Sequence, residues 1–180
     1  MPQDIIIATD KPSYGTSGLI TASSGTYDNA VPTATIPSTT GQTFLVPTSL
    51  GDKPSLLRLV PFHSANNATT PSVRAIGWTT YYQTSGTPIY VPTLLADLAC
   101  AYNATSGSIP SLSVNGTTQY FFHAITVGSG VPTVNVYSPG TGSAAGTPPA
   151  GVVIDTIGMQ YITLQFESST GTMGAFYAFL

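Results

Sequence analysis

The chain has 180 residues, of which 42% are hydrophobic and only 6% charged, against roughly 25% charged residues in an ordinary soluble domain. Four basic and seven acidic side chains give a net charge of −3, which excludes the clustered cations that binding to a phosphate backbone requires. So few ionisable groups also leave little from which to build catalysis, and the composition points to a structural or binding protein that settles onto another surface with little electrostatic repulsion.

A length of 180 residues fits one domain with an appended arm, large enough to fold without a metal or disulfide. At the start, Met1-Pro2-Gln3-Asp4 lacks a basic segment and Ile5-Ile6-Ile7-Ala8 is too short for a signal-peptide core, so no secretory signal is expected. No apolar run approaches the roughly 20 residues of a membrane span. From Thr9 to Thr43 the chain is Thr, Ser, Gly, Pro and Ala with few large side chains, interrupted by Pro12, Pro32 and Pro37. Such a segment buries too little apolar area to offset its own ordering entropy. Two readings stay open: a disordered tail, or an extended arm ordered along its own sheet or a neighbouring subunit, with Ile20, Tyr27, Val31 and Ile36 as shallow anchors. Residues 1–43 are therefore set apart from a domain spanning 44–180.

From Phe44 onward the pattern is β. Leu57 and Leu59 alternate with Arg58 and Val60, and Val73 to Tyr82 is a β-branched and aromatic run with Ile76, Trp78 and Tyr82 on one face. Thr84-Ser85-Gly86 signals a hairpin turn before Pro88-Ile89-Tyr90-Val91. Leu94 to Cys100 is short enough for a helical turn capped by Thr93 or for a buried strand, and strand is favoured. Further strands are expected at Tyr120–Val127, Val134–Tyr137, Gly151–Asp155, Tyr161–Phe166 and Gly174–Leu180, with a long loop over 138–150. Many short strands with Gly, Pro and Ser connections predict an all-β, antiparallel β-sandwich, with a jelly roll as the leading topology.

Candidate chemistry is sparse. His63 and His123 have no second His or Cys at metal-ligand spacing, so each is expected to be a packed structural residue and no metal or cofactor is expected. No nucleophile elbow leads from a strand into a helix. Only Asp97, Asp155 and Glu167 fall near core strands, too little support for a glycosidase pair, so no catalytic residues are assigned. Arg74 is expected either to pair with Asp97 or Asp155 or to reach water at a strand end. Cys100 reads as an inert buried thiol. The three Asn-X-Thr sequons at Asn67, Asn103 and Asn115 are expected to be chance in a Thr-rich chain. Tyr81, Tyr82, Tyr90 and Tyr120 can form an interface patch or a sugar-stacking platform, or belong to the core.

The run Val73-Arg74-Ala75-Ile76-Gly77-Trp78, followed by Tyr90-Val91-Pro92-Thr93-Leu94-Leu95-Ala96-Asp97-Leu98, resembles tailed-phage virion proteins of the capsid decoration (cement) type. Gly151 to Gly158 and Ala175 to Leu180 are similar to that group's closing strands. The resemblance covers Val73 to Leu180 and leaves the N-terminal arm outside it. It implies a sandwich bound to the outer surface of an icosahedral head, often as a homotrimer, bridging copies of the major capsid protein and strengthening the shell. Neither nucleic acid nor membrane is an expected partner. The competing expectations are a head-fibre or tail receptor-binding protein with a glycan on its Tyr-rich face, a shell-building coat protein, and a polysaccharide-active enzyme using Asp97 or Asp155.

Overall fold

A computed structural model describes residues 17–25, 30–35, 43–46, 56–64, 71–101, 111–114, 116–122, 124–129, 134–137 and 149–180. Within them lie eleven strands: β1 (Ser17–Gly25), β2 (Thr43–Val46), β3 (Leu56–His63), β4 (Ser72–Tyr82), β5 (Pro88–Ala101), β6 (Ser111–Val114), β7 (Thr117–Phe121), β8 (Ala124–Val127), β9 (Val134–Tyr137), β10 (Gly151–Asp155) and β11 (Tyr161–Phe179). The described residues contain no helix, and every strand pairing is antiparallel. The protein is an all-β, jelly-roll-like sandwich, nearly closed into a barrel. Leu94 to Cys100 belongs to β5, the strand favoured for this short run over a helical turn.

One layer runs β9–β10–β3–β11–β1, with the β6–β7 hairpin continuing beside the end of β3. The other runs β2–β11–β4–β5–β8. β11 belongs to both, because its first half pairs with β2 and β4 and its second half with β1 and β3. Two separate strands are predicted for this stretch, with the Ser, Thr and Gly residues between them as a loop. Instead the backbone stays extended through Ser168 to Thr172 and turns there from one layer to the other, helped by Gly171 at a φ of 70°, a left-handed conformation that a side chain disfavours.

The reverse difference occurs at Tyr120 to Val127, which reads as a single strand. β7 ends at Phe121 in the first layer and β8 starts at Ala124 in the second, so the chain crosses the sandwich between them. Phe122 marks the crossing: its ring is buried in the core, and its carbonyl accepts a hydrogen bond from Ala150 N at 2.8 Å.

The core fills the gap between the layers. Leu57 and Leu59 of β3, Val152 and Ile154 of β10, and Ala175, Tyr177 and Phe179 of β11 meet Val73 and Ala75 of β4, Leu98 of β5 and Ile162, Leu164 and Phe166 of β11. In every case the residues alternate, as a half-buried strand requires. Gly77, on the same side of β4 as Val73 and Ala75, lets two side chains close over the strand. A methyl group there would overlap the Met159 thioether and lie 2.9 Å from Leu95 Cδ1. Leu95 is the extra residue of a bulge opposite Ala75 and Ile76, a device that bends a strand and re-aims its side chains.

The part of the N-terminal arm within the described residues lies on this sandwich. β1 pairs with β11 from Ala178 back to Ser168. Residues 30–35 then reach the far edge of β5, where Thr33 and Tyr90 exchange two backbone hydrogen bonds of 3.0 and 2.8 Å, and β2 returns to β11. Tyr27, Ile36, the residues before Ser17, the sequons at Asn67, Asn103 and Asn115, and most of the 138–150 loop lie outside the described residues.

Candidate functional site

Because side chains alternate along β4, those that leave the core on one side reappear on the outer face of the second layer. Arg74, Ile76, Trp78, Thr80 and Tyr82 form this outer row, while Val73, Ala75 and Gly77 face inward. The cross-strand register sets Tyr161 of β11 beside Trp78 and Tyr90 of β5 beside Thr80. The result is a second, smaller cluster of Ile76, Trp78 and Tyr90, packed by Ala30 and Tyr161.

Trp78 is fixed through its indole N–H and buried in this cluster. Its Nε1–H donates to Thr163 Oγ1 at 2.9 Å in a buried hydrogen bond, which meets the rule that an indole N–H removed from water needs an acceptor. Tyr90 and Tyr161 meet edge to face, with ring centroids 5.7 Å apart and an interplanar angle of 72°. The Tyr161 hydroxyl is pushed above the usual phenol pKa by burial, and then by Tyr90 and Tyr82, each of which opposes a phenolate nearby. Three phenols from three different strands share this outer face. Tyr82 stands in front of them at 74% exposure.

The edge beside this face is closed to further pairing. Gln83 N bonds Thr87 O across the β4–β5 turn, so Pro88, Tyr90 and Pro92 present their backbones to the opposite, outer edge. The two prolines offer no N–H there, and the Tyr90 N–H goes to Thr33 O at 2.8 Å. Proline on an open edge blocks strand addition, so ligands meet the side chains of this face and not its backbone.

Next to the face lies one end of the sandwich. Gln160 in the β10–β11 turn accepts from Thr80 N at 2.7 Å through Oε1 and donates its own N–H to Trp78 O at 2.9 Å. That joins the turn to the end of β4 and sets the exposed Ile157 at the same end as the exposed Tyr81. Val31, two residues before the Thr33 bridge, is exposed along the outer edge of β5, and Tyr81, Tyr82, Ile157 and Val31 are four of the six most exposed large apolar side chains among the described residues.

The other candidate residues are distributed elsewhere. Arg74 Nη2 pairs with Asp97 Oδ2 at 3.0 Å across the β4–β5 register, each side chain about one-third exposed. Of the two carboxylates considered for Arg74, Asp97 is thus the partner, and Asp155 instead accepts from Ile157 N at 2.8 Å through Oδ1, holding the β10–β11 turn. A half-exposed pair of this kind is worth only about 0–1 kcal/mol. Glu167 is half-buried at the end of the sheet-two segment of β11, opposite Ser72. Cys100 is fully buried, and desolvation pushes its thiol far above the usual range, which removes the reactive thiolate. Tyr120 lies on β7 in the first layer, apart from the other tyrosines. Among the described residues no three His, Cys, Asp or Glu side chains gather as a metal site. His123 lies outside the described residues.

His63 has a partner that sequence separation hides. Its Nε2 lies 2.6 Å from Ser168 Oγ, both residues buried and 105 positions apart. Ser168 Oγ donates its one proton to Thr170 O at 2.8 Å, so the imidazole must be the donor in the shorter bond. An activated serine does the opposite, giving its proton to an unprotonated ring nitrogen. The pair is a tie across the bend of β11, reinforced by Ser64 N to Thr172 O at 2.9 Å and Thr172 N to Ser64 Oγ at 2.8 Å. Tyr161 is the site residue that the sequence reading missed; the available signal was its place on the polar side of the alternating run that ends at Phe166.

These features define an antiparallel β-sandwich with an aromatic outer face and an apolar end. No protein-family model, curated protein or solved structure matches the chain.

Proposed function

We propose that the protein is a structural virion component, a capsid decoration (cement) protein that binds the outer surface of a phage head and stabilises contacts between major capsid protein subunits. The observation that carries this reading is the meeting of the exposed Tyr81 and Ile157 at one end of a charge-poor sandwich. The segments that resemble decoration proteins supply support of a different kind, since they fall on β4 and β5 of the second layer and on β10 and the second half of β11 in the first, and the Gly151–Gly158 segment includes Ile157 itself. A surface of this kind docks by desolvating apolar groups, and symmetric repetition over a shell multiplies modest contacts into avidity. The protein acts as a homo-oligomer, with a trimer favoured by the resemblance, and takes part in no catalysis.

Quantitative mass spectrometry of purified source virions tests this reading. A copy number within several-fold of the major capsid protein is the expected result. A few copies per particle would move the protein to a fibre or tail, and its absence from the particle overturns the proposal. Co-sedimentation with undecorated heads should also persist at high salt, because screening weakens charge contacts and not apolar ones, and should weaken in the paired Tyr81→Ser, Ile157→Ser variant.

A further inference from the structure

The outer face of the second layer carries chemistry that shell binding does not use. Tyr81 and Tyr82 are neighbours on β4, and strand alternation sends Tyr82 to the side of Trp78 while Tyr81 faces the other way. Behind Tyr82, along the same outer row, the floor of the face is fixed. Trp78 is pinned by Thr163, Tyr90 and Tyr161 are locked edge to face, and the Tyr90 backbone is bonded to Thr33 on both its N–H and its carbonyl. Above that floor, one phenol ring is open to solvent.

The described side chains of the hairpin that carries that ring, and of the tip of the turn beside it, are uniform in kind. Gln83, Ser85 and Thr87 of the hairpin and Gln160 of the adjacent turn are exposed amides and hydroxyls. None of these four carries a formal charge; Asp155 at the foot of the same turn is bonded to Ile157 N, and the ion pair on this face, Arg74 with Asp97, lies eight residues along β4 from Tyr82, or about 26 Å at the rise of a strand. Among the described residues an anionic or cationic ligand would therefore lose hydration without gaining a free countercharge beside Tyr82. A protein partner ordinarily needs about 800 Å² of complementary surface on each side, whereas this face offers one open ring within a polar frame. A pyranose fits that description: an apolar C–H face to lie on an aromatic ring, rimmed by hydroxyls that exchange hydrogen bonds with phenols and amides.

We propose that Tyr82, in front of the converging Tyr90 and Tyr161 and beside Gln160, is the stacking platform of a binding site for neutral glycans. The site is independent of the capsid reading, because it is assayed on the isolated protein without a shell. Trp78, the chain's one tryptophan, packs against Tyr161 and Tyr90 and reports on the site by fluorescence.

The experiment titrates the intact protein with uncharged oligosaccharides (maltohexaose, cellohexaose, mannohexaose and chitohexaose) and, as anionic probes, with sialyllactose and a heparin hexasaccharide. Saturable changes in Trp78 emission with at least one neutral sugar are expected, weakened about tenfold or more in Tyr82→Ala and kept largely intact in Tyr82→Phe. Thr126→Ala, an exposed change on β8 of the same layer, should leave the titration as it is. Circular dichroism confirms that each variant is folded, as expected for side chains already in solvent. The proposal is overturned if no neutral sugar binds, if binding survives Tyr82→Ala, or if only the anionic probes bind.

Discussion

Two hydroxyl-bearing clusters sit on opposite parts of this molecule, and they use the same functional groups to opposite ends. At the bend of β11, His63, Ser168, Thr170, Ser64 and Thr172 direct their bonds at one another and at backbone, with His63 wholly buried. On the outer face of β4 and β5, Trp78 and Thr163 form one buried bond, and then Tyr90, Tyr161 and Tyr82 step outward until the last phenol is in water. The first cluster is closed, so its chemistry is absorbed in holding a strand between two layers. The second is graded, so its inner members stabilise and its outer member remains available. A polar group's chemistry is thus decided less by its type than by what already occupies its bonds.

The closed cluster should be the more sensitive. His63→Ala removes a fully buried ring and leaves a cavity where β11 changes layers, and a loss of about 2–4 kcal/mol in urea-unfolding stability is expected. His63→Leu should cost clearly less, because it refills the volume and Ser168 still donates to Thr170 O. Equal losses in the two variants would mean that the hydrogen bond, and not the packing, holds the bend.

At the inner edge of the graded cluster, Trp78→Phe keeps an aromatic ring but deletes the donor to Thr163 Oγ1. The buried hydroxyl loses that partner, which should cost about 1–3 kcal/mol and be recovered in part by adding Thr163→Val. If the double variant is no better than the single one, the interaction between the two side chains is not what stabilises this face.

How much of this was open to a reader of the sequence follows from the range of the interactions. The alternation of Val73 to Tyr82 and of Leu57 and Leu59 is local, and it led directly to β4, β3 and an all-β sandwich. For Arg74 with Asp97 the sequence offered the candidate but not the register: the hairpin turn at Ser85 and Gly86 alone would set Arg74 opposite Ala96, and the bulge at Leu95 brings Asp97 into place. The layer changes were not open to such a reading. Tyr120 to Val127 contains no turn residue, yet its two ends belong to different layers, while Ser168 to Gly174 is full of turn residues and stays one strand. In both cases the partners across the sheet override local preference, as they commonly do for strands. His63 and Ser168 were hidden for the same reason, and so was Tyr161, whose place beside Trp78 is set by register over a long separation and by nothing near it in the chain.

Alkaline titration separates the graded cluster from the core between the layers without deleting a packed ring. The fold holds the phenols of Tyr161 and Tyr177 above the ordinary value, Tyr177 through burial alone and Tyr161 through burial followed by Tyr90 and Tyr82. A pKa raised on folding favours the neutral phenol in the native state. Its contribution is therefore complete below the unfolded pKa of about 10 and is lost as pH rises through the folded one. Unfolding free energy should fall above that pH, and Tyr161→Phe, which keeps the ring but has no proton to lose, should flatten the fall. An unchanged slope in Tyr161→Phe would assign the whole alkaline loss to Tyr177 and the core.

The smallest effect belongs to the outermost residue. Tyr82→Ala removes a ring that is 74% exposed, so its stability should change by less than about 0.5 kcal/mol, the range of ordinary surface substitutions. A platform that contributes to binding but not to folding has to behave this way. Should Tyr82→Ala instead destabilise the protein by as much as Trp78→Phe, the ring would be a covering part of the aromatic cluster. The gradient from closed to open would then end at Tyr161, with no free phenol left for a ligand.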